Sequence, residues 1–485
     1  MSRTVELPLW LLVLILAFAV VTFASHFLFP SVRWFFRRRM ERVVARLNER
    51  LERPIEPFKL LRRHDMIQRL IYDPKVIEAV AERAREAGVP EEVAFQEAHR
   101  YAREIVPSFS ATMYFGIAIK LAKLISRAFY RVRLGYFDEA ALKKISPDST
   151  VIFIMNHRSN MDYVLVTYLA AERSALSYAV GEWARVWPLS RLIKAMGAYF
   201  IRRKSRNALY RRVLARYVQM ATAAGVAQAV FPEGGLSLDG RVGPPKLGLL
   251  NYIVSEFVPG ESRDVTFVPV GLNYDRVLED RVLVAAGKSG KRKFRFRWSS
   301  ALRYFLKHIW QRLTGRFLRY GYAAVSFGAP LSLEEFSRGK SGDQTEAIGE
   351  ELMARIRAIV PVLPVPLVAQ ALLAADGPVG RDEIVRTVCA RVKAMLQHGT
   401  HVRPAGGTPE EEVEVAINHL LMRRMISETP DGLVAVEEER PLLEFYAASI
   451  EHFRRDEPRP PLVHPDAPAV KSTGGAQENS APARS

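Results

Sequence analysis

The chain has 485 residues, 70 lysines and arginines against 52 aspartates and glutamates, and a formal net charge of +18. Its one cysteine, Cys389, excludes a disulfide framework or a multi-cysteine metal site, and a hydrophobic fraction of 49% is too low for a polytopic transporter. The positive balance directs attention to nucleic acid, acidic lipid or phosphorylated substrates.

No charge interrupts Pro8 to Phe29, 22 positions that make about 33 Å of helix, the thickness of a hydrocarbon layer. Arg33, Arg37, Arg38, Arg39, Arg42 and Arg46 follow directly, so the positive-inside rule sets the remainder in the cytoplasm. Residues 1–30 are expected to be an uncleaved single-pass anchor in the cell inner membrane, because a signal peptide would carry its basic flank on the other side. Residues 31–135 read as a helical lead-in, from the three-four spacing of Val43, Val44, Leu47 and Leu51 and again through Ile117, Ile119, Leu121, Leu124 and Ile125.

Over residues 136–345 the texture is α/β. Strand-like runs at Val151–Met155, Gln228–Phe231 and Thr266–Val270 alternate with helical stretches at Met161–Ala171, Val186–Met196 and Leu209–Ala224. No acid occurs from Lys288 to Arg319, where Leu302, Phe305, Ile309, Leu313 and Phe317 form a stripe beside Arg303, Lys307, Arg312 and Arg316. That pattern suits an anionic headgroup layer, a helix packed on the domain or a nucleic-acid groove. A proline-punctuated run from Val360 leads into a helical domain at 346–455, and residues 456–485, without apolar period, are expected to be disordered. The predicted fold class is α/β, flanked by helical regions, with one N-terminal transmembrane helix.

Each strand-like run ends in a polar cluster, as expected where loops at strand ends build a site. After the first come His157, Arg158, Ser159 and Asp162. Five residues along a helix turn side chains roughly 140° apart, so His157 and Asp162 meet only with His157 on the turn and Asp162 in the first helical turn, with Ser159 as N-cap. A histidine held by a carboxylate on one nitrogen is a general base on the other; the same spacing also describes a capping box with a surface histidine. The second cluster, Gly197-Ala198-Tyr199-Phe200-Ile201-Arg202-Arg203-Lys204, delivers three adjacent cations, which suit phosphate or a solvated turn. The third is Phe231-Pro232-Glu233-Gly234-Gly235, and the fourth is Val268-Pro269-Val270 leading to Tyr274-Asp275-Arg276.

In this order and spacing the four clusters resemble the motif blocks of the glycerolipid acyltransferase superfamily, most closely its glycerol-3-phosphate and dihydroxyacetone-phosphate O-acyltransferase branch. The resemblance implies an acyltransferase-type α/β domain in which His157 is the catalytic base and Asp162 its partner. It implies acceptor binding by Gly197, Phe200, Arg202 and Arg203 of the second block and by Glu233, Gly234 and Gly235 of the third, with Arg158 and Ser159 beside the histidine. Where the third block usually continues with arginines this chain has Leu236 and Leu238, and positive charge comes only from Arg241 and then Lys246.

The implied reaction moves a fatty acyl group from an acyl-CoA or acyl carrier protein thioester onto the sn-1 hydroxyl of glycerol 3-phosphate, in phospholipid synthesis, without a covalent enzyme intermediate. Dihydroxyacetone phosphate and lysophosphatidic acid are the alternative acceptors. A membrane-tethered lipid-binding protein without turnover is the alternative outside enzymes. The thioester is a co-substrate, no cofactor or metal is expected, anionic lipid is an expected partner, and nucleic acid is opposed by both the anchor and the blocks. Oxyanion donors are expected from backbone N–H groups at the start of the Met161 helix or from the Gly234-Gly235 turn.

Overall fold

The computed structural model describes residues 8–170, 175–181, 189–202, 205, 207–290, 320–340, 342–402 and 407–453, excepting the side chains of 21–37, 40 and 189. Arg203, the basic stretch at 291–319 and the tail at 456–485 lie outside the described residues.

The chain enters through one long helix, Leu9–Asn48. Among the described residues no single helix is long and apolar enough to cross a membrane; the apolar part with described side chains, Leu9–Val20, falls short of the roughly 20 residues a span needs. The expected transmembrane span is therefore not supported. Four shorter amphipathic helices follow, Arg63–Ile71, Pro74–Ala87, Glu91–Ile105 and Ile119–Phe129.

Eight strands among the described residues form a mixed sheet: β1 (Arg131–Phe137), β2 (Thr150–Met155), β3 (Ser177–Gly181), β4 (Tyr199–Ile201), β5 (Gln228–Val230), β6 (Val265–Tyr274), β7 (Tyr322–Phe327) and β8 (Leu331–Ser332). Their order is β1-β7-β6-β2-β5-β3-β4, with β8 on β6. Strands β6, β2, β5, β3 and β4 run parallel, and β7 turns the direction against β6.

Central β2 is buried along its whole length, as a parallel strand covered on both faces must be. Val151, Phe153 and Met155 join the apolar layer of helix Met161–Leu169 and the C-terminal helices, while Ile152 and Ile154 join that of the lead-in helices with Ala208–Ala223 and Thr345–Ile359. The period-two alternation of one strand thus supplies two cores.

The sheet begins at Arg131, inside the expected helical lead-in. As an edge strand β1 mixes arginines, Arg131 exposed and Arg133 half-buried, with apolar residues, and Arg133 lies 3.5 Å over the Tyr322 ring on β7. The C-terminal region holds helices Pro364–Ala374, Arg381–Gln397, Pro409–Met422 and Arg440–Ala447, and also a hairpin of β9 (Ile426–Thr429) and β10 (Gly432–Ala435), closed by Pro430-Asp431. Cys389 is half-buried there.

This region is fastened to the end of β6. Asn273 Nδ2 donates to Pro361 O and Ser449 Oγ, Val365 N–H donates to Asp275 Oδ1, and Val277 N–H donates to Tyr446 Oη. Tyr446 and Arg423 both donate to the buried Asp280 carboxylate.

Candidate active site

Because β2, β3, β4, β5 and β6 are parallel, their carboxyl ends share one edge of the sheet, where α/β folds place their sites. The loop after β2 carries His157, the turn after β5 carries Glu233, and β6 extends beyond the end of β2, pairing Val270 with Met155 and delivering Tyr274 four residues later. Asn156 prolongs the β2–β6 ladder with its side chain, donating to Leu272 O and accepting from Leu272 N–H.

His157 and Asp162 meet as the spacing requires, one on the turn and the other in the first turn of the helix. His157 Nδ1 donates to Asp162 Oδ2 at 2.9 Å, and both residues are buried, 1% and 0% exposed. Asp162 Oδ2 also accepts the N–H groups of Arg158 (2.7 Å) and Ser159 (3.0 Å), and Asp162 Oδ1 accepts the Tyr274 hydroxyl. Burial and the adjacent carboxylate push the Tyr274 phenol well above its ordinary pKa, so it stays a donor. The imidazole stacks on Phe231, with ring centroids 4.0 Å apart.

The third-block loop holds the His157 backbone from both sides. Glu233 Oε1 accepts His157 N–H at 2.9 Å, Ser237 N–H donates to His157 O at 3.0 Å, and Glu233 Oε2 accepts Gly243 N–H. Burial pushes the Glu233 carboxyl up to about 7 against these donors. Gly234 has φ +63°, and a Cβ there would lie 2.8 Å from Lys246 Cδ, so Lys246 packs over the turn.

Arg158 is buried, at 1% exposure. Its Nη1 donates to Gly240 O and its guanidinium lies 4.9 Å over Phe445 of the C-terminal region, while Nε and Nη2 have no hydrogen-bond partner. Burial lowers its pKa, and a guanidinium still keeps its charge. A buried cation with unmet donors is costly unless an anion joins it.

Other expected site residues are placed differently. The N-cap of the Met161 helix is Asn160; Ser159 Oγ instead accepts Met161 N–H and donates to Glu279, which also takes Asn160 N–H. Every backbone N–H from His157 to Asp162 is therefore engaged, and the start of this helix has none for an oxyanion. The second block runs the length of β4: Gly197 lies before its amino end, packed on Lys59 and Phe109, and Phe200 is core. Arg202 reaches the site edge but three strands from β2, roughly 14 Å at about 4.8 Å per strand. It makes a two-pronged pair with Glu104 at 2.9 and 2.6 Å. Arg241 pairs with Glu451 and Asp239. Tyr274 and Glu279 received no role from the sequence: Tyr274 stood inside the fourth block, whereas nothing singled out Glu279.

Beside Glu233 opens a cleft of about 820 Å³ between the third-block loop, helix Asp280–Ser289 and helix Arg440–Ala447. Gly235, Leu236, Leu238 and Lys246 line one side, and Val284 and Phe445 face them. Among the described residues no group of histidines, cysteines and acids is arranged to hold a metal.

The acyltransferase family model matches residues 139–273, and the glycerol-3-phosphate acyltransferase C-terminal region matches residues 307–454. A glycerol-3-phosphate acyltransferase of Pseudomonas fluorescens is 26% identical over 81% of this chain and 48% of its own length; that of Xanthomonas campestris is 24% identical over 86% and 48%. The chain thus spans about half the length of the curated relatives it matches. The crystal structure of the 1-acyl-sn-glycerophosphate acyltransferase PlsC of Thermotoga maritima superposes with a TM-score of 0.31 at 19% identity, over 50% of this chain and 80% of that one. The chain thus carries an acyltransferase domain followed by a C-terminal region of the glycerol-3-phosphate acyltransferase type, with the four blocks on one α/β scaffold.

Proposed function

We propose that the chain transfers a fatty acyl group from a coenzyme A or acyl carrier protein thioester to the sn-1 hydroxyl of glycerol 3-phosphate. The observation that carries this reading is the buried His157–Asp162–Tyr274 chain of hydrogen bonds at the carboxyl edge of the sheet. Asp162 fixes the proton on Nδ1, so Nε2 is the nitrogen that removes the hydroxyl proton. As the O–H bond breaks, oxygen attacks the thioester carbonyl; the C–S bond then breaks, and the departing thiolate recovers the proton from His157. Arg158, with Nε and both Nη2 hydrogens unmet, takes the acceptor's phosphate; orientation of this kind turns an encounter into a positioned attack. With the helix start engaged and Gly234 N–H given to Phe231 O, Gly235 N–H is the backbone donor of this turn left for the oxyanion.

The deciding assay gives detergent-solubilised protein palmitoyl-CoA and acyl carrier protein thioesters, with glycerol 3-phosphate, dihydroxyacetone phosphate and lysophosphatidic acid in parallel. Acylation of glycerol 3-phosphate above the other two, abolished by His157→Ala, is the expected outcome; turnover of another acceptor reassigns the substrate. Arg158→Ala is expected to raise the acceptor KM at least tenfold, the loss of a charged hydrogen bond worth about 1.5–3 kcal/mol.

The reading includes attachment to the cytoplasmic face of the inner membrane, supported by the apolar run Pro8–Phe29, its arginine flank and the acid-free basic stretch at 291–319, which suits anionic lipid. Flotation with vesicles tests it: removal of residues 1–30 is expected to release the protein from neutral vesicles and to leave salt-sensitive binding to anionic ones.

A further inference from the structure

We infer that the cleft between the third-block loop and the C-terminal region receives the phosphopantetheine arm of the thioester donor, with its phosphate at the Lys288 mouth. This rests on the acyl-transfer reading and assigns one substrate to one wall of that site. The cleft starts at Glu233, whose carboxylate holds the His157 backbone, and ends at Lys288, exposed in the last turn of the Asp280–Ser289 helix. The inner end of the cleft thus adjoins the turn that carries the base, through Glu233, and the arm leads outward to Lys288.

Size and lining select this occupant. A volume of about 820 Å³ fits a drug-sized ligand and exceeds what a three-carbon phosphate acceptor fills. A fatty chain alone asks for uniformly apolar walls, yet Ser237, Asp239, Lys246 and Glu444 line this cleft beside Leu236, Leu238, Val284 and Phe445, and burying such polar groups against hydrocarbon is costly. The arm alternates amides with a dimethyl-bearing carbon and ends in phosphate, matching a wall that alternates polar and apolar groups. The acids do not oppose the phosphate: Asp239 pairs with Arg241, Glu444 with Arg440, and Glu233 accepts two backbone N–H groups. Leu236 and Leu238, which replace the arginines usual at these places in the resembled family, become the apolar contacts for the arm. Helix Asp280–Ser289 comes close to them through Gly287, where a Cβ would sit 3.2 Å from Leu238 O.

Coenzyme A and carrier protein both present this arm, so the test uses the arm itself. Titration calorimetry of the full chain with 4′-phosphopantetheine, with pantetheine lacking the phosphate, with coenzyme A and with holo acyl carrier protein separates the sources. The expected result is binding of phosphopantetheine at least tenfold tighter than pantetheine, a difference that Lys288→Glu erases, and weakening of both ligands by Leu238→Trp. Tighter binding of coenzyme A or of holo carrier protein than of the free arm identifies the donor. Lys288 is exposed, so its variant answers even if the Leu238 variant does not fold. Absence of phosphopantetheine binding, binding indifferent to Lys288→Glu, or competitive displacement by glycerol 3-phosphate overturns the assignment. Binding as expected in a protein that acylates no acceptor overturns the proposed reaction and leaves the cleft assignment standing.

Discussion

The hydroxyl of Tyr274 donates a 2.6 Å hydrogen bond to Asp162 Oδ1, while the other oxygen of that carboxylate accepts from His157 Nδ1. The end of β6, fastened to the C-terminal region through Asn273, Asp275 and Val277, thereby fixes the group that orients the base. Tyr274→Phe removes only this hydroxyl and leaves one Asp162 lone pair unmet in a buried place. A hydrogen bond to a charged group is worth about 1.5–3 kcal/mol, so kcat is expected to fall about ten- to a hundredfold. Because Tyr274 acts through Asp162, the pH–rate profile of the variant should also shift on its acid limb; a profile unchanged in shape and height would remove Tyr274 from the positioning chain.

His157 and Asp162 were legible together because one turn and one helical turn of continuous chain bring them into contact. Tyr274 was not, because its partner lies 112 residues away and only the parallel pairing of β2 with β6 unites them. The same limit hid the Arg202–Glu104 pair, across 98 residues, and the stacking of Arg158 on Phe445. Central strands were legible where both faces are buried and the run is apolar, as in β2. The arginine-bearing β1 carries no such run, since an edge strand faces water on one side, and β4, though apolar and buried, is only three residues long. The helix-start N–H groups looked available as oxyanion donors because nothing in sequence reveals that Asp162 and Glu279 already accept from them.

His157→Ala and Asp162→Asn test whether the pair acts as a unit. Loss of a positioned general base is expected to cost about 10²- to 10⁴-fold in kcat. Asp162→Asn keeps the shape but replaces a carboxylate oxygen that accepts three N–H donors, so it favours the wrong tautomer of His157. The double variant should be hardly slower than the worse single one, as for residues acting in one step. Multiplicative losses would mean that the two residues act independently.

Gly240 marks where the C-terminal region closes on the third-block loop. Its φ is +89°, its carbonyl accepts from Arg158, and a Cβ would lie 1.9 Å from the Phe445 backbone oxygen. Ala there combines left-handed strain of about 1–2 kcal/mol with a clash against backbone that has no rotamer to escape into. Gly240→Ala is expected to lower stability by about 3 kcal/mol or more in urea unfolding. Gly88→Ala is the control: φ is +63° but nothing lies within 4 Å of its Cβ, so it should lose only the strain. Equal losses would show that the approach of Phe445 to Gly240 does not bear on stability.

Two buried carboxyls make stability depend on pH. Burial pushes Glu233 up to about 7 from an ordinary 4.5, and Asp275, whose oxygens accept the N–H groups of Tyr322 and Val365, up to about 7 from 3.8. The native state thus holds these protons where the unfolded chain has released them. Between about pH 4 and 7 the native state binds more protons, so stability is highest below the unfolded values and falls as pH rises toward 7, levelling off above it. At about 1.36 kcal/mol per unit, the fall is roughly 3 kcal/mol from Glu233 and roughly 4 kcal/mol from Asp275. Urea midpoints are expected to decline from pH 5 to pH 7.5. Asp275→Asn should lower the curve, since it loses one acceptor, yet make it flatter across this window. A variant curve parallel to the wild type would mean that Asp275 is ionised throughout and that its two backbone donors outweigh its burial.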